Sequence, residues 1–373
     1  MLLDILQCLN RYKVKKRLTQ KIMAKKVKFH ESISMIPDAL RWAENQDVEG
    51  LRQFLMEDAQ KPLYCFASGG SYSPVDYAAL LYEASQGMAK ALTPLSMSSI
   101  SDNALKTSKI LLTTSEGRGH DENYVAKRAA KVSPENTCAI VRNGGDENDV
   151  IKKLRKAGAR WYVYDWLTQS KSFIATIDTV CKFGLFYRAF ANDSDILGKL
   201  HIDTKTDQCF TYAPRVEGDI PKLKDIKNYI VLYNGWSRPV AIDFESKMIE
   251  SGMASVQICD YRNWCHGRFI YLSKHLNDSA LVLFLTPTEQ QFAKELLDSI
   301  TWREKKDVFP RSTPIIKVET ELDSPLATLD LLIKMYVLFN EIAEVNNEEP
   351  CSPKNPGGID KRFPRSTRFK GLL

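Results

Sequence analysis

Leu63-Tyr64-Cys65-Phe66-Ala67-Ser68-Gly69-Gly70-Ser71-Tyr72 is a short apolar run that breaks off in small and polar residues, and a helical stretch follows at about 74–91. Four or five apolar residues bounded by turn formers read as a buried strand. The pattern recurs. Residues 110–112 run into Thr113-Thr114-Ser115-Glu116-Gly117 and a helix at about 122–131, 138–141 precede one at 147–156, and 161–164 precede one at 173–190. Strands alternating with helices at this spacing build βαβ units and a parallel sheet. Such sheets take ligands at the carboxyl ends of their strands, where residues 68–71 and 113–117 fall.

After a polar, turn-rich stretch at 191–227 the alternation begins again. Strands are expected at 229–233, 254–258, 281–285 and 315–318, and helices at 239–251, 289–300 and 325–345. The expectation is an α/β protein of two domains, each a parallel β-sheet flanked by helices. It divides into a basic helical extension at 1–60, a first domain at 61–215, a second at 216–350 and an irregular basic tail at 351–373. A length of 373 residues suits two domains.

Composition narrows the class further. Apolar residues make up 44% and charged residues 26%, which are ordinary globular values. No apolar run approaches the roughly 18–20 residues of a membrane span. The first six residues carry Asp4 and lack a basic flank, so no signal peptide is expected and the protein is placed in the cytoplasm. Eight cysteines without a CxxC pair fit buried free thiols rather than a disulfide framework or a zinc site. The net charge of +6 hides an asymmetry. Residues 11–28 hold nine Lys or Arg and residues 361–373 hold five, with no acid in either segment. Without these ends, 38 basic residues face 46 acidic ones. Basic ends can hold a nucleic acid or an acidic partner, though charge alone favours their lying on the acidic body or on a neighbouring subunit.

Two loops and one helix carry the chemistry. Ser68–Tyr72 and Thr113–Gly117 each join a strand to a helix, where free N–H groups and hydroxyls can surround a phosphate; taken singly, each is also an ordinary turn. The helix at 239–251 sets Asp243, Lys247 and Glu250 on one face. Periodicity alone makes that a solvated face with an Asp–Lys pair. His266 follows sixteen residues after Glu250.

Taken in order, these segments resemble the sugar isomerase (SIS) domain in tandem, as in the isomerase half of glucosamine-6-phosphate synthase and in stand-alone sugar deaminases and deglycases. The resemblance spans about residues 61–373. The family's G-T-S-Y corresponds to Gly69-Gly70-Ser71-Tyr72, and its S-Q-S-G-E-T-x-D to residues 114–121. Ser172-Phe173-Ile174-Ala175-Thr176 is loosely similar to its T-K-x-F-x-x. P-x-A-x-E-x-x-x-K-x-x-E is matched by Pro239, Ala241, Asp243, Lys247 and Glu250, and K-H-G-P by Cys265-His266-Gly267. A tail P-x-x-x-x-K fits Pro356 to Lys361, with Pro364-Arg365 and Lys370 as a rival.

The resemblance implies an aldose–ketose or ketose–amine interconversion by proton transfer through an enediol or enediolamine. Glu250 would be the base, His266 would open the sugar ring, and Lys247 would stabilise the enediolate or orient Glu250. Lys361 would form a Schiff base or close over the substrate. Ser68, Gly70, Ser71, Thr114, Ser115, Glu116, Gly117, Arg118 and Ser172 would bind a sugar or sugar phosphate. A homodimer is implied, because the family's His crosses a subunit interface; no cofactor or metal is implied. Position 2 is Leu rather than the cysteine that opens a glutamine-hydrolysing domain, so amino-sugar synthesis from glutamine is not expected.

Departures keep other readings open. Glu116 stands for a serine and Gly119 for a threonine in the phosphate loop, Arg268 stands for the family proline, and Gly235-Trp236-Ser237 diverges. One alternative is a non-catalytic SIS module that senses a sugar phosphate or related ligand and regulates a partner. Another is a basic prefix that binds nucleic acid on an SIS scaffold. Glu116→Ser removes a negative charge from the loop and restores a hydroxyl donor. It is expected to strengthen the binding of a phosphorylated sugar, measured by calorimetry.

Overall fold

The computed structural model describes residues 27–115, 117, 119–142, 148–165, 167, 172–191, 193–200, 202, 206–213, 223–300 and 313–354. The first sheet holds β1 (Leu63–Phe66), β2 (Ala89–Leu92), β3 (Lys109–Thr114), β4 (Thr137–Val141) and β5 (Arg160–Val163) in the order β2-β1-β3-β4-β5. Every pairing is parallel. The chain leaves β1 toward one edge and returns to β3 on its other side. The crevice of the sheet therefore opens between the carboxyl ends of β1 and β3.

The second sheet holds β6 (Thr211–Tyr212), β7 (Asn228–Tyr233), β8 (Ser255–Asp260), β9 (Ser279–Leu285) and β10 (Ile315–Glu319) in the order β6-β10-β9-β7-β8. Its four parallel strands repeat the first sheet's β2-β1-β3-β4 arrangement. The two-residue β6 pairs antiparallel with β10, in the place that β5 takes in the first sheet.

Two strands escape the sequence pattern. β2 reads Ala-Lys-Ala-Leu, a helix-forming composition, so the helix before it looks longer than its true end at Ser85. As an edge strand, β2 needs only one bonded neighbour and gets it from β1. β6 is too short to show alternation.

Helices Tyr72–Ser85, Ile177–Ala191, Arg238–Glu250 and Leu326–Val345 join residues of both sheets in one hydrophobic cluster, which runs from Leu63 and Leu111 to Val231 and Phe284. Fifteen of the twenty residues of Leu326–Val345 are buried, as expected of a helix that is apolar nearly all round.

The helices before β1 belong to this core. Ala39, Leu40 and Ala43 of Ile36–Glu44 are buried against Ile177–Ala191. Arg188 Nη1 donates to the carbonyls of Ala43 (3.0 Å) and Gln46 (2.6 Å), satisfying groups at the end of that helix. The approach is close because residue 184 is glycine: a Cβ there would lie 2.7 Å from the Cβ of Ala43. Gly184→Ala should therefore destabilise the protein by about 1–3 kcal/mol, despite alanine's advantage of about 1 kcal/mol in a helix. Ala43→Gly in the same chain should recover part of that loss, measured as midpoints of urea unfolding.

Candidate active site

The site begins with two helices that cross the domain boundary. Arg238, in the first turn of Arg238–Glu250, pairs with Asp76 (3.0 Å) and Glu83 (3.7 Å) along Tyr72–Ser85. Ser73 Oγ, in the first turn of Tyr72–Ser85, donates to Asp243 Oδ1 at 2.6 Å. The partners run in opposite order along the two helices, so the helices are antiparallel. The last turns of Arg238–Glu250 consequently reach past Ser73, toward the loops at the strand ends of the first sheet.

Those last turns carry Lys247 and Glu250. Lys247 is 2% exposed; its Nζ lies 2.6 Å from Asp243 Oδ2 and 5.0 Å from the Tyr336 ring centroid. Asp243 is thus held on one oxygen by Ser73 and on the other by Lys247. Burial, then the Asp243 charge, push the Tyr336 hydroxyl well above the usual phenol range. The face that periodicity reads as solvated is buried at Asp243 and Lys247. Only Glu250 is half-exposed, and it accepts from Ser246 Oγ at 3.0 Å.

The facing loops are held from beneath. Gly69 sits at φ +53° and turns the chain between Ser68 and Ser71. Gly70 offers its carbonyl to Thr179 Oγ1 (3.3 Å). Gly117 sits at φ +63° and donates its N–H to Thr114 Oγ1 (3.1 Å); a side chain there would also strike Asn148. The Ser115 carbonyl accepts the Arg142 N–H at 3.1 Å, and Arg142 pairs with Asp178 at 2.8 Å. Between the loops stands a residue that the sequence reading missed. Lys182, 1% exposed, donates from Nζ to Ser71 Oγ (2.8 Å) and Ser115 Oγ (3.3 Å). The sequence did carry a sign of it, a lysine in the otherwise apolar turn Val180-Cys181-Lys182-Phe183.

The equivalent strand ends of the second sheet are closed by a side chain. Glu289 accepts from Asn234 Nδ2 (2.9 Å), Thr286 N (2.8 Å) and Thr286 Oγ1 (2.6 Å), so one carboxylate caps its own helix start and holds the neighbouring loop.

A cleft of about 490 Å³ lies between the first loop and the second domain; its lining includes Ser68, Gly69, Tyr72, Ser73, Glu245 and Ser246. Glu250 stands at its edge through Ser246. Glu245, also missed in the sequence, faces this cleft directly. Burial, then the charge of Glu250, raise its pKa above the usual glutamate value.

Other expected residues lie elsewhere. Ser172 Oγ donates to the Val27 carbonyl (3.2 Å), and the next N–H, of Phe173, donates to the Cys351 carbonyl (3.1 Å). Ser172 and Phe173 thus hold segments near the two ends of the described chain. His266 is exposed and follows β8, whereas Glu250 precedes it. A strand of six residues spans roughly 20 Å, so the two are far apart within one chain. Glu116, Arg118, Lys361, Lys370 and the basic segment before residue 27 lie outside the described residues. Among the described residues, no cluster of His, Cys, Asp and Glu is arranged to hold a metal ion, and no helix is long and apolar enough to cross a membrane.

Two mostly parallel sheets in tandem, flanked by helices, are the architecture of the sugar isomerase fold. Solved structures with this fold include glucosamine-6-phosphate deaminase from Thermotoga maritima, with a TM-score of 0.63 and 14% identity over 88% of this chain and 98% of that one. The C-terminal domain of glucosamine-fructose-6-phosphate aminotransferase from Francisella tularensis gives 0.59 and 12%, over 87% and 98%. Tagatose-6-phosphate ketose/aldose isomerase from Escherichia coli gives 0.58 and 16%, over 88% and 96%. No protein-family model and no curated protein matches the sequence, so the likeness is one of structure.

A raised pKa means that ionising Glu245 opposes folding once the pH exceeds the glutamate range. Glu245→Gln should stabilise the protein at neutral pH by about 0.5–1 kcal/mol, allowing for solvent screening. The gain should vanish below about pH 4, where the wild-type carboxyl is protonated. Thermal unfolding at both pH values measures it.

Proposed function

We propose that this protein is a sugar or sugar-phosphate isomerase, deaminase or deglycase that works by enediol or enediolamine proton transfer. The observation that supports the reading is the antiparallel helix pair, whose second helix carries Lys247 and Glu250 in the turns beyond the Ser73–Asp243 contact. Glu250 takes a proton from the carbon beside a carbonyl or imine and returns it to the neighbouring carbon, since one carboxylate reaches both. Lys247, held by Asp243, stabilises negative charge on the enediolate oxygen or orients Glu250. The phosphorylated sugars in the names of the structural neighbours support a sugar-phosphate ligand.

The site draws on a second copy. His266 is too far from Glu250 to serve it within one chain, and its exposure leaves it available to the cleft of a partner, where it would move the proton of ring opening. Lys361 closes over the substrate or forms a Schiff base. In support, the Cys351 backbone is anchored at Phe173 and the Cys351 thiol feels the Lys247 charge, so the tail leaves the fold near the site. Glu245 beside Glu250 favours an amine-bearing substrate, hence deaminase or deglycase chemistry, because a cation between them relieves both the burial of the Glu245 charge and the smaller repulsion from Glu250 that together raise its pKa.

The test follows exchange of the proton on the sugar's second carbon with deuterated water by NMR. Glu250→Gln should leave the fold and ligand binding in place and slow exchange by at least about 10²-fold, roughly 2.7 kcal/mol in the barrier. A wild type that binds sugars yet never exchanges that proton would be a sensor. Mixing Glu250→Gln chains with His266→Asn chains should restore about a quarter of wild-type activity, because half of the random dimers hold one intact site. Full activity of His266→Asn alone would place His266 outside the mechanism, and no recovery from two inactive variants would mean that it does not serve the Glu250 of a partner.

A further inference from the structure

The cleft beside the first loop has an apolar wall that a bare sugar would leave uncovered. β8 is an edge strand of the second sheet and pairs with β7. Alternate residues of a strand share a face, so Val256 and Ile258 point the same way. Both line the cleft and stay half-exposed. The helix Arg238–Glu250 joins two parallel strands, β7 and β8, so it runs back against β8 and sets its last turns near Val256. Ile242, one turn before Ser246 on that helix, adds to the wall, and Tyr72 lines the cleft from the first domain.

The acid beside this wall lacks a local partner. Glu245 is half-exposed and has no hydrogen bond or ion pair among the described residues. Burial and the neighbouring Glu250 charge both disfavour its ionisation. No Lys or Arg lines the cleft among the described residues. The cleft is therefore complementary to a cation that carries apolar groups. A charge-assisted hydrogen bond from such a cation is about twice as strong as a neutral one.

We infer that this cleft is a subsite for the amine half of a sugar conjugate, in which Glu245 holds a secondary ammonium group and Val256, Ile258, Ile242 and Tyr72 enclose an uncharged apolar substituent on its nitrogen. The inference rests on the proposed sugar-binding function and narrows its substrate class to sugars joined to a simple apolar amine. Conjugates of amino acids are disfavoured, because their carboxylate would meet Glu245 and Glu250 with no cation beside it in the lining. At about 490 Å³ the cleft falls within the range of roughly 300–1,000 Å³ usual for sites that take ligands of this size.

The test is calorimetry on the full-length protein with fructose and with fructose whose first-carbon hydroxyl is replaced by an amine, each with and without a phosphate on the sixth carbon. The amines are 3-methylbutylamine, methylamine and leucine, which is 3-methylbutylamine with a carboxylate added. The larger alkyl group should bind about 10–100-fold more tightly than methyl, since each fully buried carbon is worth about 4-fold and the cleft is partly open. The leucine conjugate should bind at least about 10-fold more weakly than the 3-methylbutylamine conjugate. Val256→Thr with Ile258→Thr keeps β-branched residues on the strand, so the double variant is expected to fold. It should cut the preference over methylamine to less than about 3-fold; Ile258→Thr alone provides the reading if the pair does not fold. Glu245→Gln should weaken both alkylamine conjugates about 10-fold and fructose less than about 3-fold. Equal affinity of the wild type for the two alkylamines, or a preference that survives the Thr variants, would overturn the apolar subsite. Tighter binding of the leucine conjugate would overturn the assignment to simple amines. Binding of fructose or its phosphate but of no conjugate would overturn this inference and leave the sugar-binding function standing. Binding of none of these, nor of other sugars and sugar phosphates, would remove that function and this inference together.

Discussion

The antiparallel contact between Tyr72–Ser85 and Arg238–Glu250 is the constraint on which the rest of the molecule depends. Its centre is a buried chain of polar groups in which Ser73 donates to Asp243 and Asp243 pairs with Lys247. Removing one partner of a buried ion pair leaves an uncompensated charge, at a cost of about 3–5 kcal/mol. Such a pair tolerates little sliding, so it sets the register of one helix against the other. Asp76 and Arg238 repeat the device toward the other end of the contact. With the register set, a helix of the second sheet packs beside the loop that follows β1.

Glu245 lines the cleft that results and Glu250 stands at its edge, both partly open to water, whereas Lys182 and Lys247 are buried. Lys247 pairs with the Asp243 carboxylate, and Lys182 donates to the hydroxyls of Ser71 and Ser115. At the strand ends of the second sheet, Glu289 takes the corresponding place and binds Asn234 and Thr286. A repeated architecture therefore leaves one open pair of loops per chain among the described residues.

Much of the fold was legible locally. The fully buried strands β3, β4 and β9 are built on the continuous apolar runs 110–112, 138–141 and 280–285, and the helix Leu326–Val345 is apolar nearly all round. The illegible parts owe their structure to neighbours. Ala89–Leu92 is a strand because β1 offers it a free edge, and its own composition favours helix. The helices from Phe29 to Met56 have the expected period, but that they are part of the main core is decided by their packing against Ile177–Ala191, where Gly184 admits Ala43. On the face of Asp243, Lys247 and Glu250, a water-facing and a buried helix share the same spacing, so periodicity cannot separate them.

The order of strands and helices, the turn chemistry at Ser68–Ser71 and Thr114–Gly117, and the spacing of Lys247, Glu250 and His266 are properties of the chain read in one dimension. They depend on side-chain period and on the special conformations of glycine, which are local. Tertiary structure alone decided that Glu250 and His266 lie at opposite ends of a strand, that Lys182 stands under both loops, and that Glu245 faces the cleft. These are matters of distance and of desolvation. A lysine and a serine separated by 111 residues leave no periodic trace in the sequence, and whether a charge is solvated or buried depends on what packs over it.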